Sequence, residues 1–272
     1  MRKNLFLLTI ALALLSLASC KKVWDYVKDH PNGYADNCKV DKIYFTEYFL
    51  DPISTSDYIP FKDTANFTYN AKGQLISIDY ASDAHHLNID PNPIIGFAFA
   101  YDSQGRLLGF FERGKISYNG YYVGAFAHKY TYVNNNLIID STFKNYITAS
   151  QSGDNLEISY GDINGVDSIF LDSWGRIVRH GSTTYNYDAS GNRIIPGVRY
   201  TSKKSMLQTD KTLMFITRDY SINTPAGIAT QFNSNQLPVK FNPGEPALFV
   251  TTIYSNQHSF EKQIAKVAYQ CK

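Results

Sequence analysis

Tyr101-Asp102-Ser103-Gln104-Gly105-Arg106-Leu107-Leu108 is the stretch that decides the fold of this 272-residue chain, because the chain repeats its pattern. An aromatic residue is followed by Asp or Asn, two small or polar residues, Gly, a polar residue and an aliphatic residue. Three further copies keep the turn residues: YNAKGQLI at 69–76, LDSWGRIV at 171–178 and YDASGNRI at 187–194. Two more copies have lost the glycine: YVNNNL at 132–137 and FNSNQL at 232–237.

Each copy predicts a strand, a tight turn and a second strand. The Asp or Asn side chain accepts hydrogen bonds from backbone two residues on, and Gly supplies the positive φ that lets the chain rejoin a twisted hairpin. The copies start 32, 31, 39, 16 and 45 residues apart, which is too irregular for a propeller or solenoid. We therefore predict an all-β fold: a single antiparallel meander of hairpins forming a large curved sheet or a barrel-like shell.

These phrases resemble the tyrosine–aspartate (YD) repeats of Rhs-type proteins. They are more similar to the degenerate YD-like hairpins of Bacteroidota-type outer-membrane lipoproteins of unknown function. The resemblance covers roughly residues 40 to 270 and implies a large curved or porin-like antiparallel sheet outside the cytoplasm. It implies almost nothing about activity. The uneven spacing departs from true YD repeats.

The N-terminus has the layout of a bacterial lipoprotein signal. Residues 1–4 are a short basic region, and residues 5–17 are an apolar run too short to span a bilayer. The run ends in Leu17-Ala18-Ser19-Cys20, which resembles a lipobox. We expect residues 1–19 to be removed and Cys20 to be lipidated, with residues 20–37 as a tether and residues 38–272 as one β domain. The alternative is an ordinary cleaved signal with an incidental cysteine.

Lys21 follows the cysteine, whereas Asp at that position resembles an inner-membrane retention signal. We therefore expect the protein at the outer membrane. Surface-exported lipoproteins of this kind carry an acidic cluster after the cysteine, and this chain has two lysines there. The periplasmic face is therefore favoured over the cell surface.

The composition excludes an electrostatic case for nucleic acid. Lys and Arg number 26 and Asp and Glu number 24, so removing Arg2 and Lys3 with the leader leaves 24 of each sign. The chain has 21 Tyr and 2 Trp, and Tyr is typical of a sheet with one wet face.

Cys38 and Cys271 are expected to form a disulfide bond, because exported compartments are oxidising. Cys38 comes just before the first predicted strand, Lys39 to Leu50, and Cys271 follows the last, around Phe260 to Gln270. Antiparallel neighbours would place the two side by side, tying the first strand to the last or clamping the termini. Free thiols are the alternative.

The remaining segments predict short strands at hairpin spacing, including Ile177 to His180, Thr212 to Tyr220 and Ala247 to Tyr254. We find no run with helical periodicity, and at most one short helix in Ser202 to Thr212.

Two motifs have a faint metal-binding pattern. Asp83-Ala84-His85-His86 with Asp90 offers ligands in a loop, but adjacent histidines on an extended chain point in opposite directions. Residues 162–167 (DINGVD) faintly resemble a calcium loop but lack a distal Glu, so a plain turn is the better interpretation. We predict no metal, no cofactor and no catalytic residues, since no hydrolase, P-loop or dinucleotide motif occurs.

Trp174 lies inside a turn phrase, where an indole has no local structural duty. Exposed aromatic rings stack on sugars or partners, so Trp174, Tyr185 and Tyr187 are a candidate ligand platform. The alternative is an indole folded back on its hairpin. We expect a lipid-anchored, non-catalytic binding or scaffolding module for glycan or an envelope partner. A glycan-directed hydrolase and a structural or pore-like shell are the other hypotheses.

Overall fold

The computed structural model describes residues 38–50, 58–81, 94–114, 122–152, 155–159, 161–242 and 262–271. Strands dominate these residues, as the repeated turn phrases predict. They are β1 Cys38–Leu50, β2 Tyr58–Tyr69, β3 Leu75–Tyr80, β4 Ile94–Tyr101, β5 Leu107–Gly114, β6 Tyr122–Tyr132, β7 Leu137–Ser152, β8 Asn155–Ser159, β9 Asp162–Leu171, β10 Ile177–His180, β11 Thr183–Thr184, β12 Tyr200–Lys204, β13 Asn223–Pro225, β14 Ala229–Phe232, β15 Pro238–Phe241 and β16 Lys262–Cys271.

Fourteen strands form one antiparallel sheet, which confirms the predicted fold class. Its order is β11-β10-β9-β7-β6-β5-β4-β3-β2-β1-β16-β15-β14, with β8 paired to the far half of β7. From β1 to β11 the order follows the chain, so this part is a meander of hairpins. The described residues show no pairing between β11 and β14, so these strands are the two edges. Strands β12 and β13 form a separate two-stranded antiparallel ribbon.

All the repeated turns lie at one end of the sheet. Hairpins β2–β3, β4–β5, β6–β7 and β9–β10 reverse at that end because alternate strands run in opposite directions. The turn after β11 and the β14–β15 turn share the same end. We call it the turn end. It also holds the start of β1 and the finish of β16.

The first and last strands pair, and a disulfide bond joins them. Cys38 is directly opposite Cys271 in the β1–β16 register, with 4.0 Å between their Cα atoms. The predicted bond between Cys38 and Cys271 is therefore confirmed. It clamps the termini and does not join the sheet edges, because β15 and β14 continue the sheet beyond β16.

A short helical insert fills the inner face of the sheet. A 3-10 helix, Met206–Thr209, is followed by α1, Lys211–Thr217. The Lys39 ammonium of β1 donates to the Thr209 carbonyl, and Phe215 packs edge-on against Tyr130 of β6. Strands β1 and β6 are about 24 Å apart at normal spacing, whereas the insert between those contacts is about 10 Å long. One short helix meets both strands because the sheet curves around it.

The predicted strand from Thr212 to Tyr220 is wrong, because residues 212–217 belong to helix α1. The Asp210 side chain accepts a hydrogen bond from the Thr212 amide at 2.8 Å and caps the helix. Arg218 ends the helix in the left-handed region at φ 56°. The buried face of the insert (Met206, Leu207, Leu213, Met214 and Ile216) joins the sheet core. Tertiary burial has overridden the local strand propensity of this β-branched and aromatic run.

Residues 162–167 are also not a turn, since they form the start of β9. They pair with β7 from Lys144↔Asp162 to Asp140↔Asp167. Side chains of a strand alternate between its faces, so their oxygens do not converge on one ion.

Several predictions fall outside the described residues. These are the leader and tether (1–37) with Cys20, the loop with Asp83, His85, His86 and Asp90, and the strand predicted at 247–254. Within the described part of the chain, no helix is long and apolar enough to cross a membrane.

Candidate functional site

The repeated phrase forms one recurring turn. Oδ1 of Asp102 accepts hydrogen bonds from the amides of Gln104 and Arg106, at 2.9 and 2.8 Å. Gly105 has φ 79°, the left-handed conformation the turn requires. The side chains of Asn70, Asp172 and Asp188 bind their own turns in the same pattern. The recurrence of the phrase within this chain is thus explained by backbone hydrogen bonding alone.

In three phrases the tyrosine hydroxyl donates a hydrogen bond to the preceding phrase. The Tyr101 hydroxyl donates to the Leu75 carbonyl at 2.7 Å. Tyr132 and Tyr187 do the same to Leu107 and Ile177, at 3.0 and 3.2 Å. Burial raises the pKa of all three hydroxyls well above 10. These tyrosines link successive hairpins, which explains part of the high tyrosine content without a ligand.

An open polar cleft of about 970 Å³ lies at the turn end. It is bounded by Asp188 of the turn after β11 and by Gln236 of the β14–β15 turn, so both edges of the sheet border it. The β12–β13 ribbon fills the space between them. The lining residues are Asp188, Ser190, Asn192, Val198, Arg199, Tyr200, Thr201, Ser202, Lys204, Ile222, Asn223 and Gln236.

The walls of the cleft are held by mutual hydrogen bonds. Nδ2 of Asn192 donates to Oδ1 of Asn223 at 3.1 Å, and the Asn223 amide donates to Oδ1 of Asn192 at 2.8 Å. The Tyr200 hydroxyl donates to the Arg193 carbonyl at 2.7 Å. Burial raises the pKa of Tyr200, so its hydroxyl stays protonated at neutral pH. A partly exposed aromatic ring thus stands in a wall rich in hydrogen-bonding groups.

A second polar cluster is buried beneath the helical insert. Asp140 of β7 has no exposed surface, and its Oδ1 lies 2.7 Å from Nδ1 of His128 on β6. Its Oδ2 lies 3.2 Å from Nε2 of His180 and 4.0 Å from the Arg218 guanidinium. Despite this proximity, Oδ2 of Asp140 and Nε2 of His180 make no hydrogen bond with any described residue.

The electrostatics of this cluster keep Asp140 ionised. Burial by itself would raise the pKa of Asp140, but the His128 hydrogen bond and the His180 contact outweigh it and lower the pKa to about 2. The His128 ring also stacks on Phe110, with centroids 4.6 Å apart. The buried charge of Asp140, on β7, is therefore contacted by residues of β6, of β10 and of the end of α1.

Glu112 is the other buried carboxyl group with a displaced pKa, which burial raises to about 7. Phe110 pairs with His128, and Tyr130 pairs with Asp140, so Glu112 and Asp140 are separated by strand β6 and four register positions. Four positions span about 13 Å along a strand, beyond the 5–10 Å that separates glycosidase carboxyl pairs. This pair is not arranged as a hydrolase acid and nucleophile.

The three residues of the predicted ligand platform occupy different environments. Trp174 is 49% exposed at its turn, whereas Tyr185 is only 7% exposed and lies under the Arg193 guanidinium, 4.5 Å from its charge. The Tyr187 ring is covered by Arg176 at 4.3 Å. Of the three rings, the indole alone offers a large exposed face, and none of the three residues lines the cleft.

Sequence reasoning missed the cleft and the Asp140 cluster. Their residues come from segments far apart in the chain, and no fixed spacing marks them. Asn192 was visible only as part of a turn phrase. The sequence carries only a weak signal for the cluster, namely that His128 and Asp140 are ionisable residues within predicted strands. Among the described residues, no group of three His, Cys, Asp or Glu side chains is arranged to hold a metal ion.

Comparisons with known proteins add little to this geometry. No family model matches the chain, and the search of curated proteins found no match. Among solved structures, a chain of a Photorhabdus luminescens Tc holotoxin pore aligns over 50% of this chain and 10% of its own length. The identity is 15% and the TM-score is 0.12, so this likeness carries no argument.

Proposed function

We propose that this protein is a lipid-anchored cell-envelope module that binds glycan without catalysis, in the cleft at the turn end. The observation that carries the proposal is the polar lining of that cleft. Its volume of about 970 Å³ is at the upper end for small-molecule sites and suits an oligosaccharide.

The lining has the chemistry that sugars require. Asn, Ser and Thr side chains donate and accept hydrogen bonds, which matches a ligand covered in hydroxyl groups. The Tyr200 ring supplies an apolar surface for a sugar face, and its hydroxyl is already occupied by Arg193. The Asn192–Asn223 bonds hold the two walls before a ligand arrives, which lowers the entropy lost on binding.

Two features of the chain support attachment to the outer membrane, on the periplasmic face. The lipobox-like residues 17–20 end at Cys20, and Lys21 follows. The turn end holds Cys38, and the 18 residues from Cys20 to Cys38 reach at most about 60 Å. An anchored chain would therefore keep the cleft close to the bilayer.

The binding proposal is tested by obstructing the cleft at a tolerant position. Ser190 occupies the same place in its turn as Trp174 does in residues 171–178, so Ser190→Trp suits the local backbone and fills cleft space. Gln104→Trp makes the same change in a turn outside the cleft and is the control. The full chain in detergent is screened on a glycan array, and the best ligand is then titrated.

We expect Ser190→Trp to abolish binding and Gln104→Trp to retain it. Equal affinity for both variants would refute the cleft as the site. Loss of binding in Trp174→Ala with retention in Ser190→Trp would move the site to the turn tip.

The anchor is tested by Cys20→Ala. We expect this variant to leave the membrane pellet for the soluble fraction, whereas the unaltered chain stays in the pellet. A Cys20→Ala variant that remains membrane-bound would contradict the lipid anchor.

A further inference from the structure

We infer that the cleft selects acidic oligosaccharides, an inference that rests on the proposed glycan-binding function. Arg199 and Lys204 both line the cleft. No described carboxylate lies within ion-pair distance of either side chain, by contrast with Arg106 and Arg176 of the turn end.

The contrast with the neighbouring arginines is specific. Arg106 binds the Asp102 carboxylate at 2.7 Å and covers the Tyr132 ring. Arg176 binds Asp172 at 2.8 Å and covers Tyr187. These guanidinium groups are part of the turn structure and are engaged within the protein. Arg199 lies outside the repeated phrases, so it has no such role in a turn.

The cleft lining contains one carboxylate, that of Asp188, against these two cations. Oδ1 of Asp188 accepts hydrogen bonds from the Ser190 and Asn192 amides, both at 2.9 Å, as the turn requires. Its position is therefore fixed by its own turn. Arg199 and Lys204 outnumber the single lining carboxylate, Asp188, so the cleft lining carries a net positive charge that favours an anionic ligand.

The spacing of the two cations indicates more than one charge on the ligand. Arg199 directly precedes β12, and Lys204 ends it. Five positions of extended strand span at most about 16 Å. Two separate cations on one lining segment suit acidic units along one chain, with each carboxylate meeting one cation.

The test uses an array of oligosaccharides built from glucuronate, galacturonate, mannuronate or sialate, each printed as the free acid and as its methyl ester. The ester keeps the sugar and removes the charge. The full chain in detergent is compared with Arg199→Gln and Lys204→Gln, with Lys72→Gln as a control at an exposed turn outside the cleft. Affinities are then measured at low and high salt.

We expect binding to free acids with a loss of about tenfold or more on esterification, since a hydrogen bond to a charged group contributes about 1.5–3 kcal/mol. Each cleft variant should lose about tenfold, Lys72→Gln should lose nothing, and added salt should weaken binding. Equal binding of acids and esters would overturn the acidic selectivity and leave glycan binding intact. Binding to no member of this array and to no neutral glycan of the array used for the proposed function would overturn both.

Discussion

Glu112 and Asp140 are two buried carboxyl groups whose environments move their pKa values in opposite directions. Burial raises the pKa of Glu112 to about 7, whereas hydrogen-bonded and charged neighbours lower that of Asp140 to about 2 despite its burial. Each shift is a difference between the folded and unfolded chain, so each makes the free energy of unfolding depend on pH.

Glu112 should make the folded protein less stable as the pH rises from about 4.5 to 7. Its ordinary pKa is 4.5, so between about pH 4.5 and 7 the folded state binds more protons than the unfolded state. Stability from this group is therefore lost as pH rises through that window, by about 3 kcal/mol. Urea unfolding gives the difference in free energy of unfolding between Glu112→Gln and the unaltered chain. We expect this difference to shift in favour of Glu112→Gln by about 3 kcal/mol between pH 4 and pH 8. Asp162→Asn, an exposed change, is the control. A difference that does not vary with pH would contradict this origin.

Asp140 should stabilise the folded protein at neutral pH. Its folded pKa is depressed below the ordinary 3.8, so its contribution is present above that value and falls by about 2 kcal/mol as pH drops towards 2. Asp140→Asn removes the charge that faces His128 and Arg218, and we expect it to cost about 3 kcal/mol at pH 7. The reference variant is Asp167→Asn, directly opposite on β9 and exposed. Urea unfolding that showed equal losses for the two would disprove a special role for the cluster.

Each repeated turn phrase stabilises the hairpin in which it lies. The Asp102 side chain holds two amides and the Arg106 guanidinium, so one residue determines the geometry of the β4–β5 turn. Asn70 holds its own turn with the same pair of amide bonds and no charge.

We expect Asp102→Ala to lower the free energy of unfolding by about 2 kcal/mol, because two backbone amides lose their partner. Asp102→Asn should recover most of the loss, since it keeps an acceptor oxygen. Ser103→Ala alters an exposed neighbour and should have little effect. Urea denaturation distinguishes these outcomes, and an alanine variant as stable as the asparagine variant would show that the turn does not depend on this side chain.

Elements were predictable where the determinants are local. β10 has the predicted bounds, Ile177 to His180, because a turn phrase precedes it and fixes where the strand begins. α1 was predicted as a strand because its composition favours strands, and its helical form depends on the Asp210 cap and on burial inside the curved sheet.

The disulfide bond acts on the whole molecule, because it links strands 233 residues apart in the sequence. In the loop-entropy view such a bond stabilises the fold by up to about 5 kcal/mol by restricting the unfolded chain. The double change Cys38→Ser with Cys271→Ser should approach this loss in urea unfolding. A reductant should lower the stability of the unaltered chain and leave the double variant unchanged. If the reductant has no effect on either protein, the bond does not stabilise the fold.

The sequence by itself determined the turns, the antiparallel meander and the pairing of Cys38 with Cys271. Turn chemistry is local, and the disulfide was predicted from the expectation of an oxidising compartment, with free thiols as the alternative. The tertiary structure alone decided that Asp188 and Gln236 border one cleft, and that Asp140 meets Arg218. Those contacts depend on how far a sheet of many strands curves and on what fills its inner face. Curvature is the sum of small twists over the whole sheet and of packing against the insert, so no single stretch of sequence encodes it.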